Sequence, residues 1–172
     1  MNTLAAVAQI LVAAAFVSIP MVRHRFGDTA KTSAEAELAR QGVPVTVLEE
    51  NNLRFDASGH ETIVPLSVAA VMLTLAGLNI AGDDWGRLLT WIFQSIVLLG
   101  NGVILYSNLT AAASVRAAFA RKGDPTLQRI DVPALLKAAK DGFPEWVWVL
   151  QNVRHVVVFG ASALALAATA IA

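Results

Sequence analysis

The residues with the clearest chemical potential are Gln94, Asn101 and Asn108, which recur every seven residues along one apolar segment. Seven residues turn a helix by only about 20° relative to a full repeat, so the three amides lie on one helix face. Amides that face lipid are costly, and we expect this face to point into a helical bundle. The stripe is then either a lining for a lipid headgroup, a quinone or a narrow water path, or a set of interhelical hydrogen bonds.

A second polar group comprises Glu145, Gln151, Asn152, Arg154 and His155. On one helix, Gln151 and His155 are one turn apart, whereas Glu145 and Asn152 are two turns apart. The group lies near one membrane face and combines a carboxylate, amides, a guanidinium and an imidazole. Such a group could bind an anionic lipid headgroup or polarise a carbonyl. No nucleophile accompanies them, so structural anchoring is the competing interpretation.

Arg154 carries its own expectation, because a guanidinium within an apolar helix costs about 2.5–3.5 kcal/mol at the bilayer centre and less near its surface. It should contact a lipid phosphate or a carboxylate of the first long loop, with Glu49, Glu50 or Glu61 as candidates. His155 should lie within reach of polar groups from the first or second apolar helix.

The three histidines, His24, His60 and His155, each flank an apolar segment at the same predicted membrane level. Imidazole is the usual protein ligand for haem and for many metals, so two of them could ligate such a group. The alternative is three histidines that contact lipid phosphates. The chain has no cysteine, which excludes disulfides, thiolate metal sites and iron–sulfur clusters. No spacing motif assigns a metal, and the cofactor stays open.

The elements that must position these residues are four apolar segments, at residues 3–22, 63–81, 88–107 and 146–172. The composition is 56% hydrophobic and 15% charged, against about 25% charged in a soluble domain. About 20 apolar residues span the hydrocarbon core of a bilayer. The sequence therefore predicts an all-α integral membrane protein, folded as a single domain and an up-down four-helix bundle.

The basic residues predict the orientation in the membrane. The two long connections hold five and seven of the thirteen lysines and arginines, when Arg154 at the membrane edge is counted with the second. The positive-inside rule places both long loops in the cytoplasm and both termini outside the plasma membrane. Tryptophan and tyrosine mark membrane interfaces, here the outer one (Trp85 and Trp91) and the inner one (Tyr106, Trp146 and Trp148). The net charge is zero, which gives no reason to expect nucleic acid as a partner.

The long loops contain further helix signals. Thr32 and Glu35 have the spacing of a capping box, which predicts a short helix that ends near Gly42. The third apolar helix should continue to Lys122 and stop at Gly123. An amphipathic helix follows, with Val132, Leu135, Leu136 and Ala139 on one face, Asp131 as N-cap and Gly142 as stop. It either lies in the membrane interface or packs on the chain's own loops.

The fourth apolar helix presents a strip of alanines, at Ala161, Ala165, Ala168 and Ala172. Small residues at this spacing allow two helix backbones to approach closely. The partner is either the alanine-rich first helix or a second copy of the protein.

The first half also resembles the small four-helix DoxX-like membrane proteins of bacteria. The resembling parts are Leu11–Phe16, Glu37–Pro44 and Leu75–Leu78. The resemblance implies a bacterial inner membrane and a quinone-linked or accessory role, and it carries no site residues. The segment around Asn51–Glu61 and the long loop after Asn108 depart from the short connections of that family.

No acidic residue or lysine lies within an apolar segment, which disfavours a proton-driven transporter. The sequence therefore predicts a non-catalytic accessory or scaffold subunit that binds lipid, including anionic headgroups, or a partner protein. The alternative is a quinone- or haem-linked redox subunit, or a lipid-modifying one.

Overall fold

The computed structural model describes residues 2–56 and 60–171, apart from the side chains of His60 and Glu61. These residues form no strand and seven helices: α1 (Asn2–Arg40), α2 (Val47–Glu50), α3 (His60–Ala81), α4 (Asp84–Lys122), α5 (Pro125–Gln128), α6 (Val132–Asp141) and α7 (Trp146–Ile171). The predicted all-helical class is confirmed. Four helices, α1, α3, α4 and α7, are long and apolar enough to cross a membrane.

Two of these helices are much longer than one membrane span. α1 and α4 have 39 residues each, or about 58 Å at 1.5 Å per residue. The predicted continuation to Lys122 is confirmed, and α4 stops where Gly123 adopts a φ of +68°. Glycine tolerates this left-handed conformation, which ends a helix.

The separate helix predicted after Thr32 is wrong. α1 passes through Val22 and Thr32 without a break, so Thr32 caps no helix end. The physical reason is that residues 23–31 contain no proline and only one glycine, so nothing in this stretch ends the helix. The predicted end is correct, because α1 finishes at Arg40 and Gly42 has a φ of +71°.

The chain forms two compact units. The first unit comprises Met1–Met21, Gly59–Tyr106 and Trp148–Ala172, and the second comprises Val22–Ser58 and Ser107–Val147. Each unit has its own cluster of buried apolar residues.

The core of the first unit is rich in alanine. Ala161, Ala165 and Ala168 of α7 are buried in the same cluster as Ala5 and Ala8 of α1. Small side chains let the helices pack closely, which gives dispersion contacts where lipid supplies no hydrophobic driving force. The strip therefore packs against α1, the first of its two predicted partners, and contact with a second copy stays a prediction. Ala172 lies outside the described residues.

The second unit is built around the amphipathic helix α6. The Asp131 side chain accepts from the Ala134 amide at 3.2 Å, as predicted for the N-cap. One face of α6 is more than nine-tenths buried, at Val132, Leu135 and Ala139. These side chains belong to a cluster that also contains Leu38, Leu48, Phe119 and Leu127. Of the two predicted placements, the structure shows the helix packed on the chain's own loops.

Candidate functional site

A closed triad of buried polar side chains joins α1, α3 and α4 within the first unit. Asn79 Nδ2 donates to Gln9 Oε1 at 3.1 Å and to Thr90 Oγ1 at 2.9 Å, and it also contacts the Leu75 carbonyl at 3.0 Å. Gln9 Nε2 donates to Thr90 Oγ1 at 2.9 Å, and Thr90 Oγ1 donates to the Gly86 carbonyl at 2.6 Å. Asn79 lies near the end of α3 and Thr90 near the start of α4, so the short turn between these helices brings the two side chains to the same end of the first unit.

A second polar group joins α4 to α7. Gln94 Nε2 donates to Ser162 Oγ at 2.8 Å, and Asn101 Oδ1 lies 3.2 Å from His155 Nδ1. Going from the first pair to the second, the residue number rises by seven on α4 and falls by seven on α7. That pattern is the one expected of two helices that run in opposite directions and keep one face in contact.

The second group differs from the triad in having atoms without partners. Among the described residues, Gln94 Oε1, Asn101 Nδ2 and His155 Nε2 are buried and make no hydrogen bond. Gln94 is 0% exposed, Asn101 2% and His155 7%. An unsatisfied polar group in the interior costs about 1–3 kcal/mol, so three together are a feature that needs an explanation. We call Gln94, Asn101, His155 and Ser162 the open cluster.

The pairing of Asn101 with His155 restricts what each can offer a ligand. The Asn101 oxygen accepts only, so His155 Nδ1 carries the proton in this contact. In the neutral ring, Nε2 then has a lone pair and accepts, while Asn101 Nδ2 donates. If the Asn101 amide is turned over, Nδ2 donates to Nδ1, Nε2 carries the proton, and Oδ1 accepts. In both arrangements the pair presents one donor and one acceptor.

The structure separates the other residues predicted for a site. Asn108, the third amide of the stripe, is exposed, so the expectation that it faces inward is wrong. Asn108 lies in the part of α4 that belongs to the second unit, whereas Gln94 and Asn101 belong to the first. Asn152 is exposed, Gln151 and Arg154 are half-buried, and within the described first unit none of the three makes a hydrogen bond or an ion pair. Of that predicted group, only His155 joins another polar side chain there.

Two of the predicted partners of Arg154 belong to the second unit. Glu49 lies 3.6 Å from the Lys31 ammonium, and Glu50 is exposed. The Glu61 side chain lies outside the described residues. The lipid phosphate stays as the predicted partner of Arg154. His155 does lie within reach of a polar group, but that group belongs to α4 and not to α1 or α3 as predicted.

The haem or metal site predicted for two of the histidines stays a prediction, because His24 belongs to the second unit and His155 to the first. His24 is exposed, His155 is buried against Asn101, and the side chain of His60 lies outside the described residues. No group of three or more histidine, cysteine or acidic side chains in the described part of the chain is placed to hold a metal ion.

The second unit contains a cleft of about 350 Å³. Its lining mixes cations, anions and apolar side chains, namely Lys31, Leu48, Glu49, Leu53, Arg54, Phe55 and Asp56. The Lys31 ammonium lies 3.6 Å from Glu49 and 3.9 Å from Asp56. Lys31 therefore pairs with both acidic side chains of the lining.

A polar bridge joins the end of α1 to the start of α6 in the second unit. Glu37 accepts from Arg40 at 2.6 and 2.8 Å and from Gln41 at 2.7 Å. The Gln41 oxygen accepts from the Asp131 amide at 2.8 Å. The hydrogen bonds from Arg40 and Gln41 lower the pKa of Glu37 to about 2.

Sequence reasoning missed Gln9 and Ser162 as members of these networks. Each is a polar residue in an otherwise apolar stretch, and in a bundle such a residue must find a partner on another helix. That signal identifies both residues, but it does not say which helix supplies the partner.

Comparison with known proteins gives no family for this chain. No protein-family model matches it, no curated protein matches it, and no solved structure does. The resemblance to DoxX-like proteins and the bacterial inner membrane therefore stay predictions.

Proposed function

We propose that the chain is an integral membrane protein whose helices α1, α3, α4 and α7 cross the bilayer as an up-down bundle. The observation that carries this proposal is an inverted distribution of polarity in the first unit. Every buried polar side chain of the described residues lies in that unit: Gln9, Asn79, Thr90, Gln94, Asn101, His155, Ser162 and Thr169.

The exposed apolar side chains complete the inversion. All the exposed large apolar side chains of the described residues lie in the first unit except Val45, Leu109 and Trp146. In water such a surface would be costly, because large contiguous apolar patches are rare on soluble monomers. In hydrocarbon it costs nothing, while the polar groups must turn inward to find partners. The distribution is therefore that of a protein dissolved in lipid.

The orientation follows from the charges of the loops. Both long loops are cytoplasmic and both termini are outside in this proposal, because twelve of the thirteen basic residues lie in the long loops or, for Arg154, at their membrane edge. The exposed aromatic rings Trp85 and Trp91 then mark the outer membrane surface, and Tyr106 and Trp146 mark the inner one.

The role we propose is that of a non-catalytic accessory or scaffold subunit that binds anionic lipid or a partner protein. Its support is that all the buried polar side chains except Thr169 take part in hydrogen bonds between helices, which fixes a rigid bundle. The lipid contact is assigned to Arg154, a half-buried guanidinium without a hydrogen-bonding partner in the described first unit. Arginine binds phosphate oxygens through two parallel hydrogen bonds, so an anionic headgroup satisfies it.

Membrane insertion and orientation are tested with single cysteines, since the chain has none of its own. Asp84→Cys should react with an impermeant thiol reagent in intact cells, whereas Lys31→Cys and Lys122→Cys should react only after the membrane is opened. Labelling of position 31 or 122 from outside overturns the orientation. Extraction of the protein by alkaline carbonate overturns insertion.

The lipid contact is tested by mass spectrometry of the protein purified in mild detergent. Arg154→Gln should reduce the anionic phospholipid that is retained, and Arg116→Gln, which removes an exposed arginine of the second unit, should not. Equal retention by both variants contradicts the assignment. A Soret band in the same sample would favour the haem-linked alternative over the scaffold role.

A further inference from the structure

One wall of the cleft in the second unit is held by a close approach to α1. A Cβ atom on Gly27 would lie 2.7 Å from the Cα atom of Asp56 and 2.9 Å from the carbonyl oxygen of Phe55, so a side chain here would force this segment away. Gly27 and Lys31 are one turn apart on the same face of α1. The close approach at Gly27 therefore brings Phe55 and Asp56 to the cleft that Lys31 also lines.

The loop that contains α2 forms another part of the wall. The Leu53 amide donates to the Leu48 carbonyl at 2.8 Å, which closes the loop on itself. Asn51 Oδ1 accepts from Lys122 Nζ at 2.7 Å, which ties the loop to the end of α4. These hydrogen bonds hold the lining in place without a ligand, and a preformed site loses little freedom on binding.

The apolar part of the lining is continuous with the core of the second unit. Leu48 belongs to the buried cluster around α6, and Leu53 and Phe55 pack against that cluster while they stay half-buried. An apolar ligand group placed over Leu53 and Phe55 would remove their remaining surface from water, which is favourable.

The charges of the lining leave one cation for a ligand. The Lys31 ammonium pairs with Glu49 at 3.6 Å and with Asp56 at 3.9 Å. Asp56 also interacts electrostatically with Arg23. Arg54 lines the same cleft and is exposed, and in the described part of the chain it makes neither a hydrogen bond nor an ion pair. The two acids thus have two other cations beside them, and Arg54 is left for a ligand to neutralise.

We propose that this cleft binds a small carboxylate with an apolar tail, whose acid group contacts Arg54 and whose tail covers Leu53 and Phe55. A guanidinium offers two parallel N–H groups that match the two oxygens of a carboxylate. A carboxylate carries one negative charge, whereas a phosphate monoester carries about 1.5 to 2 at pH 7. The monoanion therefore meets less repulsion from Glu49 and Asp56, which line the same cleft.

The size of the cleft limits the ligand. Its volume is about 350 Å³, near the lower end of the roughly 300–1,000 Å³ of small-molecule pockets. The bound part of the ligand is therefore a short chain or a single ring and not a two-chain phospholipid. The site lies in the second unit, whereas Arg154 belongs to the first. It depends neither on the lipid contact assigned to Arg154 nor on the scaffold role.

The test is an NMR titration of the protein in phosphatidylcholine nanodiscs with hexanoate, observed at the Arg54 Nε–H group and the Leu53 methyl groups. Both signals should shift and saturate. Hexanol lacks the charge and acetate lacks the tail, so each should bind about tenfold more weakly or worse. Binding of hexylammonium as tight as that of hexanoate would overturn the proposal, because the carboxylates would then select the ligand. Tighter binding of hexyl phosphate would overturn the choice of a carboxylate.

Three variants separate the site from binding elsewhere. Arg54→Gln removes an exposed guanidinium and should weaken hexanoate binding about tenfold or more. Arg121→Gln is the matched control, because Arg121 is an exposed arginine of the second unit that does not line the cleft. Both Arg121→Gln and Arg154→Gln should bind hexanoate as the unaltered protein does. Hexanoate also enters the bilayer, so equal Leu53 shifts in Arg54→Gln and the unaltered protein would show partition alone and overturn the site.

Discussion

A Cβ atom placed on Gly142 would lie 2.5 Å from the Cα atom of Ala30 and 2.9 Å from its amide nitrogen. Both atoms belong to the backbone of α1, so no side-chain rotation can relieve the contact. The φ of Gly142 is −71°, which any residue adopts. This glycine therefore serves close packing within the second unit and not an unusual backbone conformation.

Gly142→Ala should lower the free energy of unfolding of the second unit by about 1–3 kcal/mol, the usual cost of overpacking. The measurement is thermal or denaturant unfolding in detergent. Gly100→Ala is the control, because its Cβ meets nothing within 4 Å and alanine favours a helix. Adding Ala30→Gly to Gly142→Ala should not restore stability, since the clash involves only backbone atoms of residue 30. A stability equal to that of the unaltered protein would contradict the close approach.

Thr90→Val should destabilise the first unit by about 0.6–1.7 kcal/mol, from the average to the largest value measured for hydrogen bonds between membrane helices. Valine keeps the shape of threonine but removes the hydroxyl that Gln9 and Asn79 share. Thr74→Val is the matched control, because Thr74 is exposed and bonds only to the Ala70 carbonyl of its own helix. Equal effects of the two substitutions in a thermal unfolding assay would show that the triad contributes nothing specific.

Gln94→Leu and Asn101→Leu should each lower stability in detergent by about 0.5–1.5 kcal/mol if the amides join α4 to α7. For the first pair, a double-mutant cycle with Ser162→Ala isolates the coupling, since Gln94 Nε2 donates to that hydroxyl. The coupling energy should be positive for Gln94 with Ser162 and near zero for Gln94 with Thr169, which bonds to its own helix. Zero coupling for both would exclude the Gln94–Ser162 contact.

The second unit should lose stability as the pH falls from about 4.5 towards about 2. The folded state holds the pKa of Glu37 below its usual value, so folding favours the carboxylate and binds fewer protons than the unfolded chain. The contribution is fully present above the unfolded pKa and disappears as pH drops through the folded one. In thermal unfolding between pH 6 and pH 3, Glu37→Gln should show a flatter dependence than the unaltered protein. An identical slope would mean that the Arg40 and Gln41 contacts do not persist in solution.

The sequence predicts the four apolar helices well because hydrophobic length is a property of each segment alone. It also predicts the Asp131 cap and the Gly123 stop, since both depend on neighbouring residues. The start of a helix at Thr32 failed because a capping box is only a local preference, and α1 continues where no residue ends it.

The open cluster was predictable in part. The periodicity of Gln94 and Asn101 indicates a buried face, and the structure places both inside the first unit. Their partners, Ser162 and His155, depend on which helix packs opposite and in what register, and no local pattern contains that information. Asn108 shares the periodicity but is exposed, because a helix can continue after its neighbours stop covering it.

The two polar groups also differ in when they can form during synthesis. All three residues of the triad have been synthesised once Thr90 is added. The Asn101–His155 contact requires the synthesis of 54 residues after Asn101. At roughly 5–20 residues per second, that interval is about 3–11 seconds. During this interval the Asn101 amide has no partner on α7. Until α7 has been synthesised, the amide must therefore contact water or another helix.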